Sequence, residues 1–400
     1  MRRTAIPIML VLAGCARPGP MLEPHNSDVP PPIPEVGAMV NKFAFDFYAE
    51  LRKTETGKNI FVSPYSISTA LGMTATCARN NTFAQMKKVL HLPDDATADA
   101  YYANLAAVLK GGKGYELSTA NAVWAQSGMR WEESFRKRLE GYGVDAFREV
   151  DFRDKGNCAK LINILVEAQT KQRIKDLILP EDLAGPTRMV LVNAIYFKGE
   201  WAKKFDVKLT REGDFTNADG TKSKQPFMTG EIACETTWTE DAAFMAIPYV
   251  GNELQMIFVL PHKADGLPGV ESKCTHANWD DWMKKLHADP AAEVIIPKFK
   301  IETKYKLNET LATQGMPDAF SDDKADFSRM TLQEALHIDP VIHKAFIDIN
   351  EEGTEAAAAT AVVMKGRSAK YPFHINRPFL FAIRHRGTGA ILFLGRVEKL

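Results

Sequence analysis

Residues 188–198, RMVLVNAIYFK, constrain the fold more than any other segment. The run is almost continuously apolar and rich in strand formers, so it reads as a strand buried on both faces of its sheet. What surrounds it sorts by position. Before it, helical spacing dominates: Val40, Phe43, Phe47 and Leu51 share one face. Ser63-Pro64 has the form of an N-cap followed by proline at the first helical position. It predicts a helix to about residue 76, after a short strand at 59–62. Further helices are predicted at 83–90, 101–109, 132–140 and 159–171. After it, strands dominate. Residues 244–249 and 253–260 flank Gly251-Asn252, a hairpin signal. Strands are also predicted at 293–305, 341–350, 378–384 and 390–397, the last after a turn at 387–389, with one more helix at 279–287. The pattern predicts one α+β domain with large, mostly antiparallel sheets.

Composition removes several function classes. The 400 residues carry 50 Lys plus Arg against 50 Asp plus Glu, a formal net charge of zero. No charge excess draws the whole chain to nucleic acid or an anionic membrane. No 20–50-residue repeat and no stretch of bilayer-spanning length occurs.

The first residues read as a targeting segment. Met1-Arg2-Arg3 leads an apolar run that ends Leu12-Ala13-Gly14-Cys15. This resembles the lipobox of bacterial lipoproteins. The resemblance implies a signal peptide at 1–14 and lipidation of Cys15; a conventional signal peptide with an incidental Cys is the alternative. Residues 15–36 are Pro-rich and polar and predict an extended tether. Residues 37–400 form the domain. The other cysteines, Cys77, Cys158, Cys234 and Cys274, fit no metal motif, and their pairing cannot be read from spacing. Free buried thiols account for most of them.

Residues 351–368, EEGTEAAAATAVVMKGRS, pose a choice. Alanine favours a surface helix. Yet residues 356–364 carry no charge, whereas a surface helix usually carries several. As a strand, one side would present Thr354, Ala356, Ala358, Thr360 and Val362, all small or apolar, and the other would turn the Glu355 charge to water. That pattern suits a segment able to slide into a sheet over a packed core. Beyond it, Arg367-Ser368 is a bond of the kind trypsin-like proteases cut.

Residues 342–363, IHKAFIDINEEGTEAAAATAVV, resemble the hinge region of inhibitory serpins. Residues 373–383, FHINRPFLFAI, are similar to the serpin C-terminal signature. Matches at 59–73 (NIFVSPYSISTALGM), 191–201 (LVNAIYFKGEW) and 297–328 extend the resemblance from about residue 37 to 400. It implies the serpin fold: a single α+β domain with three β-sheets, about nine helices and an exposed reactive loop near 351–372. It also implies a suicide inhibitor, not an enzyme, that needs no cofactor or metal. A target protease attacks the loop, the loop inserts into the main sheet after acylation, and the ester is trapped.

Residue by residue, the resemblance assigns the hinge to Glu351, Gly353, Thr354, Glu355, Ala356, Ala357, Ala358, Ala359 and Thr360. Counting from the hinge Glu gives Arg367–Ser368 as the reactive bond, with Lys365 as runner-up. Ser63, Ser66, Asn193 and His343 match the shutter under the opening sheet, and Trp201 the breach where the loop enters. Ser63 and His343 could suggest a catalytic pair, but a buried hydrogen-bond network explains them better. The implied partner is a trypsin-like serine protease with Arg specificity. A cysteine protease target and a non-inhibitory carrier or chaperone are the alternatives. The chain is expected to act as a monomer, exported, and lipid-anchored to the cell envelope or extracellular. Two departures stand out. ATCARNNTFAQM at 75–86 replaces the family's Gly-rich turn, and 94–114 holds only Lys110 and Lys113 where heparin-binding members are basic.

Overall fold

The structure, a computed structural model, describes residues 33–93, 95–110, 112–140, 147–183, 187–354 and 372–400. Cys15 lies outside them, as do Glu355, Ala356, Ala357, Ala358, Ala359, Thr360, Arg367 and Ser368.

Among the described residues the helices are α1 (Pro34–Thr54), α2 (Pro64–Ala75), α3 (Asn80–Val89), α4 (Asp95–Lys110), α5 (Glu133–Glu140), α6 (Lys155–Gln169), α7 (Leu267–Ser272), α8 (His276–Lys284) and α9 (Asn308–Gln314). The strands are β1 (Ile60–Val62), β2 (Tyr115–Gln126), β3 (Phe147–Val150), β4 (Met189–Glu200), β5 (Arg211–Thr216), β6 (Lys222–Trp238), β7 (Ala242–Pro248), β8 (Leu254–Pro261), β9 (His287–Pro297), β10 (Phe299–Lys306), β11 (Val341–Asn350), β12 (Gly353–Thr354), β13 (Phe373–His374), β14 (Phe379–His385) and β15 (Ile391–Val397). One sheet has six strands in the order β10-β11-β12-β4-β2-β3. The other ladder has nine, β1-β15-β14-β8-β7-β6-β9-β13 with β5 on β6. The three expected sheets are present as these two ladders because β6 belongs to both parts of the second. Its first residues pair with β5 and β9, and its last residues pair with β7.

The strand at 188–198 is doubly buried, and its alternation shows why it had to be. Leu191, Ile195 and Phe197 enter the main core, which also holds Phe43, Phe47, Leu71 and Phe393. Val190, Val192 and Ala194 enter a second core under α6, with Trp124, Ile162, Val166 and Ile342. Each face of β4 therefore has its own apolar partner, and no polar face is needed.

Several boundaries differ from the sequence expectation. α1 begins at Pro34, inside the stretch read as tether; proline supplies the first helical turn without losing a needed donor. The segment 293–305 is two strands in different sheets. Pro297 has no N–H to continue a ladder, and the Lys298 N–H instead meets the Pro226 carbonyl at 2.8 Å. The predicted helix at 279–287 starts earlier, at His276, and stops at Lys284; His287 already opens β9.

Candidate functional site

The site is a split in the six-stranded sheet. β11 and β4 run parallel and pair directly from Val341↔Leu191 to Phe346↔Tyr196. Above that point β12 lies between them, antiparallel to both. Thr354 pairs with Ile349 on one side and Gly199 on the other; Gly353 pairs with Asn350 and Glu200. Gly353 and Thr354 of the hinge thus already occupy the mouth of the split.

Local chemistry fixes this wedge. Gly353 sits at φ +150°, and a Cβ there would lie 2.0 Å from the Gly199 carbonyl oxygen, so only glycine fits. Thr354 is fully buried, with its hydroxyl 2.7 Å from the Tyr249 hydroxyl. Burial pushes the Tyr249 phenol well up, which keeps its proton in place for this hydrogen bond. The Tyr249 ring stacks on Trp201 at 4.8 Å, and Trp201 Nε1 donates to the Asn350 carbonyl at 3.0 Å. The Trp201 and Phe205 backbone N–H groups donate to the Glu352 and Glu351 carbonyls, both at 2.9 Å.

The two hinge carboxylates are also held. Glu351 accepts from Thr210 Oγ1 and lies 2.8 Å from Lys298 Nζ. Burial alone would raise its pKa, but the hydrogen bonds from Lys298 and Thr210 outweigh that and hold the carboxyl below its usual range. Glu352 lies 2.6 Å from Lys204, which also meets Glu200 at 3.0 Å. Those two hydrogen bonds, Glu352 first, raise the Lys204 pKa.

Beneath the split runs a polar row. Asn121, Asn193 and His343 are cross-strand partners on β2, β4 and β11, all on the main-core face. His343 Nδ1 donates to Asn193 Oδ1, and His343 Nε2 accepts the Ser63 backbone N–H at 3.2 Å. Asn193 Nδ2 reaches Ser66 Oγ and Asn121 Oδ1, both at 2.6 Å. Ser66 Oγ in turn donates to Asn121 at 3.0 Å. Ser63 Oγ caps α2 by accepting the Ser66 N–H, and donates to the Leu392 carbonyl at 2.6 Å. His343 meets the backbone of Ser63, not its hydroxyl. The pair therefore lacks the nucleophile-to-base hydrogen bond that serine catalysis needs.

This row sets a pH dependence. Burial lowers the His343 pKa from 6.5 to about 3, so the ring stays neutral and keeps its acceptor nitrogen. Unfolded, the same ring takes a proton near pH 6.5. Between those values the native state binds fewer protons than the unfolded chain. The stabilisation is complete above pH 6.5 and is lost as pH falls toward 3. Burial lowers His385 to about 4, with the same sign. The urea midpoint is expected to fall through this window, with His343 contributing up to ~1.4 kcal/mol per pH unit. His343→Gln should flatten that slope; an equal slope in the variant would remove His343 as the cause.

Of the residues singled out in the sequence, Ser63, Ser66, Asn193 and His343 meet in one network, and Trp201, Glu351, Gly353 and Thr354 in another. The hinge from Glu355 to Thr360, the bond Arg367–Ser368 and Cys15 fall outside the described residues. Sequence reading missed Asn121, Tyr249, Thr210, Lys204 and Lys298. It also left unread what lies behind the sheet: along much of β4 the face away from the main core packs under α6 through Val190, Val192 and Ala194. Among the described residues Cys77, Cys158, Cys234 and Cys274 form no disulfide. Among the described residues no group of three or more His, Cys, Asp or Glu could hold a metal, and no helix is long and apolar enough to cross a membrane.

Comparison with known proteins agrees with this geometry. The family model described as serpin (serine protease inhibitor) matches residues 38–400. Human Serpin B3 is 38% identical over 382 residues, covering 90% of this chain and 97% of the relative. Among solved structures, Serpin48 from the insect Tenebrio molitor, described as highly specific, superposes with a TM-score of 0.83 at 32% identity, covering 94% of this chain and 100% of that one. Human thyroxine-binding globulin in complex with its hormone gives a TM-score of 0.84 at 29% identity, covering 92% and 98%.

Proposed function

The chain belongs to the serpin family of serine protease inhibitors, and from that premise we propose that it inhibits a trypsin-like serine protease by suicide insertion of its own loop. The protease attacks Arg367–Ser368 as a substrate bond, and its carboxylate-bearing specificity pocket takes the Arg367 guanidinium. After acylation, residues 355–367 follow Gly353 and Thr354 into the sheet, lengthening β12 into a full strand, and carry the bound protease away. The fourteen strand residues from Thr354 to Arg367 span ~45 Å.

The observation that carries this reading is β12, a two-residue strand already seated between β11 and β4. Its register gives the path of the rest. Thr354 pairs with Gly199 and Ile349. Six residues further along, the partners become Asn193 (199 − 6) and His343 (349 − 6), and the entering residue is Thr360. Insertion would therefore separate the His343–Asn193 hydrogen bond and bring a hydroxyl into the polar row. Ala356 and Ala358 would face the main core, and Ala357 and Ala359 the α6 side. Small residues on both sides keep the entry free of buried charge and overpacking. One step in from Thr354, Glu355 would fall opposite Lys198, which is half-buried near the open end of the split.

The hinge carries no proline or bulky side chain from Gly353 to Thr360, which favours inhibition over a carrier role. Cys15 is the lipid attachment point of an exported chain, held at the envelope by the tether and acting as a monomer. Incubation with trypsin tests the reading. The expected product is an SDS-resistant complex at the summed mass less residues 368–400, with a released fragment that begins at Ser368. Cleavage without a complex would contradict it.

A further inference from the structure

A cavity of about 760 Å³ lies where β6, β7, β8, β9 and β13 meet, well within the range of small-molecule sites. Its floor is buried and mostly apolar: Thr236, Ala243, Leu260, Ala292 and Phe373. The alanines explain the hollow, since strand positions of this kind usually carry larger side chains. Trp238 stands on the rim with 56% of its surface exposed, and the His287 ring lies 5.9 Å from it. An indole left in water beside an open apolar hollow is a ready stacking surface.

Polar groups converge on the same space. Arg377 lines the wall next to β13, fixed by Nε to the Pro261 carbonyl at 2.8 Å and by Nη1 to Asn376 Oδ1 at 3.1 Å. His374 beside it is held neutral by burial and by the Arg377 charge. Asp289 and Glu293 line the β9 side, so the cavity is polarised, with its positive end at Arg377. On the floor, the buried Thr236 hydroxyl has no hydrogen-bond partner among the described residues. A buried hydroxyl without a partner is costly unless something supplies one.

We propose that this cavity binds a planar aromatic anion, a carboxylate or sulfonate, which stacks on the exposed Trp238 indole and directs its acid group to Arg377. Such a ligand has the right shape for a flat-walled hollow and the right charge for its one fixed cation. It would also brace β13. Among the described residues that strand pairs with β9 at Phe373↔Val294 and His374↔Ile295, with one further hydrogen bond from the Ile375 N–H to the Ile295 carbonyl at 2.9 Å. A ligand bridging the β6–β9 side and the β13 side would make that stem harder to detach.

The test uses 1-anilinonaphthalene-8-sulfonate as probe on the full chain. Fluorescence titration should show one saturable site. Trp238→Ala should weaken it by roughly tenfold, and Arg377→Gln by a similar factor. Because Arg377 also ties down a backbone carbonyl, Ala292→Leu gives an independent arm: it fills the floor and should abolish binding without lowering the melting temperature. Probe binding should also slow hydrogen exchange at the Phe373, His374 and Ile375 amides. No saturable binding, or binding unchanged within about twofold in both Trp238→Ala and Ala292→Leu, would overturn the proposal.

Discussion

On the proposed mechanism, Thr354→Arg should convert the protein from an inhibitor of trypsin into a substrate. Thr354 is fully buried between β4 and β11, against the Tyr249 hydroxyl. A guanidinium at this position unseats β12 in the intact chain, so it must shed its water during insertion, at a cost on the order of several kcal/mol. Insertion competes with deacylation, and each ~1.4 kcal/mol on the insertion barrier slows that branch about tenfold. The yield of SDS-resistant complex should fall at least tenfold while the loop is still cut after Arg367. Fragment masses separate that cut from one at the introduced arginine. Undiminished complex would show that the lengthened strand accepts a charge at position 354.

Arg367→Ala should remove trypsin inhibition by about a thousandfold or more, because a pocket built around a carboxylate strongly rejects a partner lacking the charge. The native melting temperature should stay unchanged, which separates a lost recognition contact from a lost fold. Trypsin inhibition that persists, with the cut moved to Lys365, would shift the reactive bond by two residues and shorten the inserted strand accordingly.

How much of this was legible depends on how local each signal is. The β4 run is legible because both its faces are apolar, so its burial is written into consecutive residues. The α2 start is legible because Ser63 and Pro64 make a cap within one turn. β6 is not, because much of its surface is polar and it splits its pairing between β5, β9 and β7. Asn121 is one polar residue in a mixed strand with no local sign of its role. Its value comes from lying opposite Asn193, 72 positions away, and only the register reveals that. Tyr249 reaches Thr354 across 105 positions, and Thr210 reaches Glu351 across 141. Such pairs leave no local pattern. The hinge composition is legible as a capacity to insert. That Gly353 and Thr354 are already inserted is a fact of tertiary structure.

The proposed mechanism requires the protein to hold energy in reserve. The direct β4–β11 pairing is a closed door over the His343–Asn193 row, and full insertion would replace it with two longer ladders. On that mechanism a cut within residues 365–368 frees the loop to reach the inserted state.

Thermal unfolding before and after such a cut tests this most directly. On the order of ten new ladder hydrogen bonds at ~1 kcal/mol each, with ~2 °C per kcal/mol for a domain of this size, should raise the midpoint by roughly 20 °C. A cut chain that melts at or below the temperature of the intact one would contradict the account.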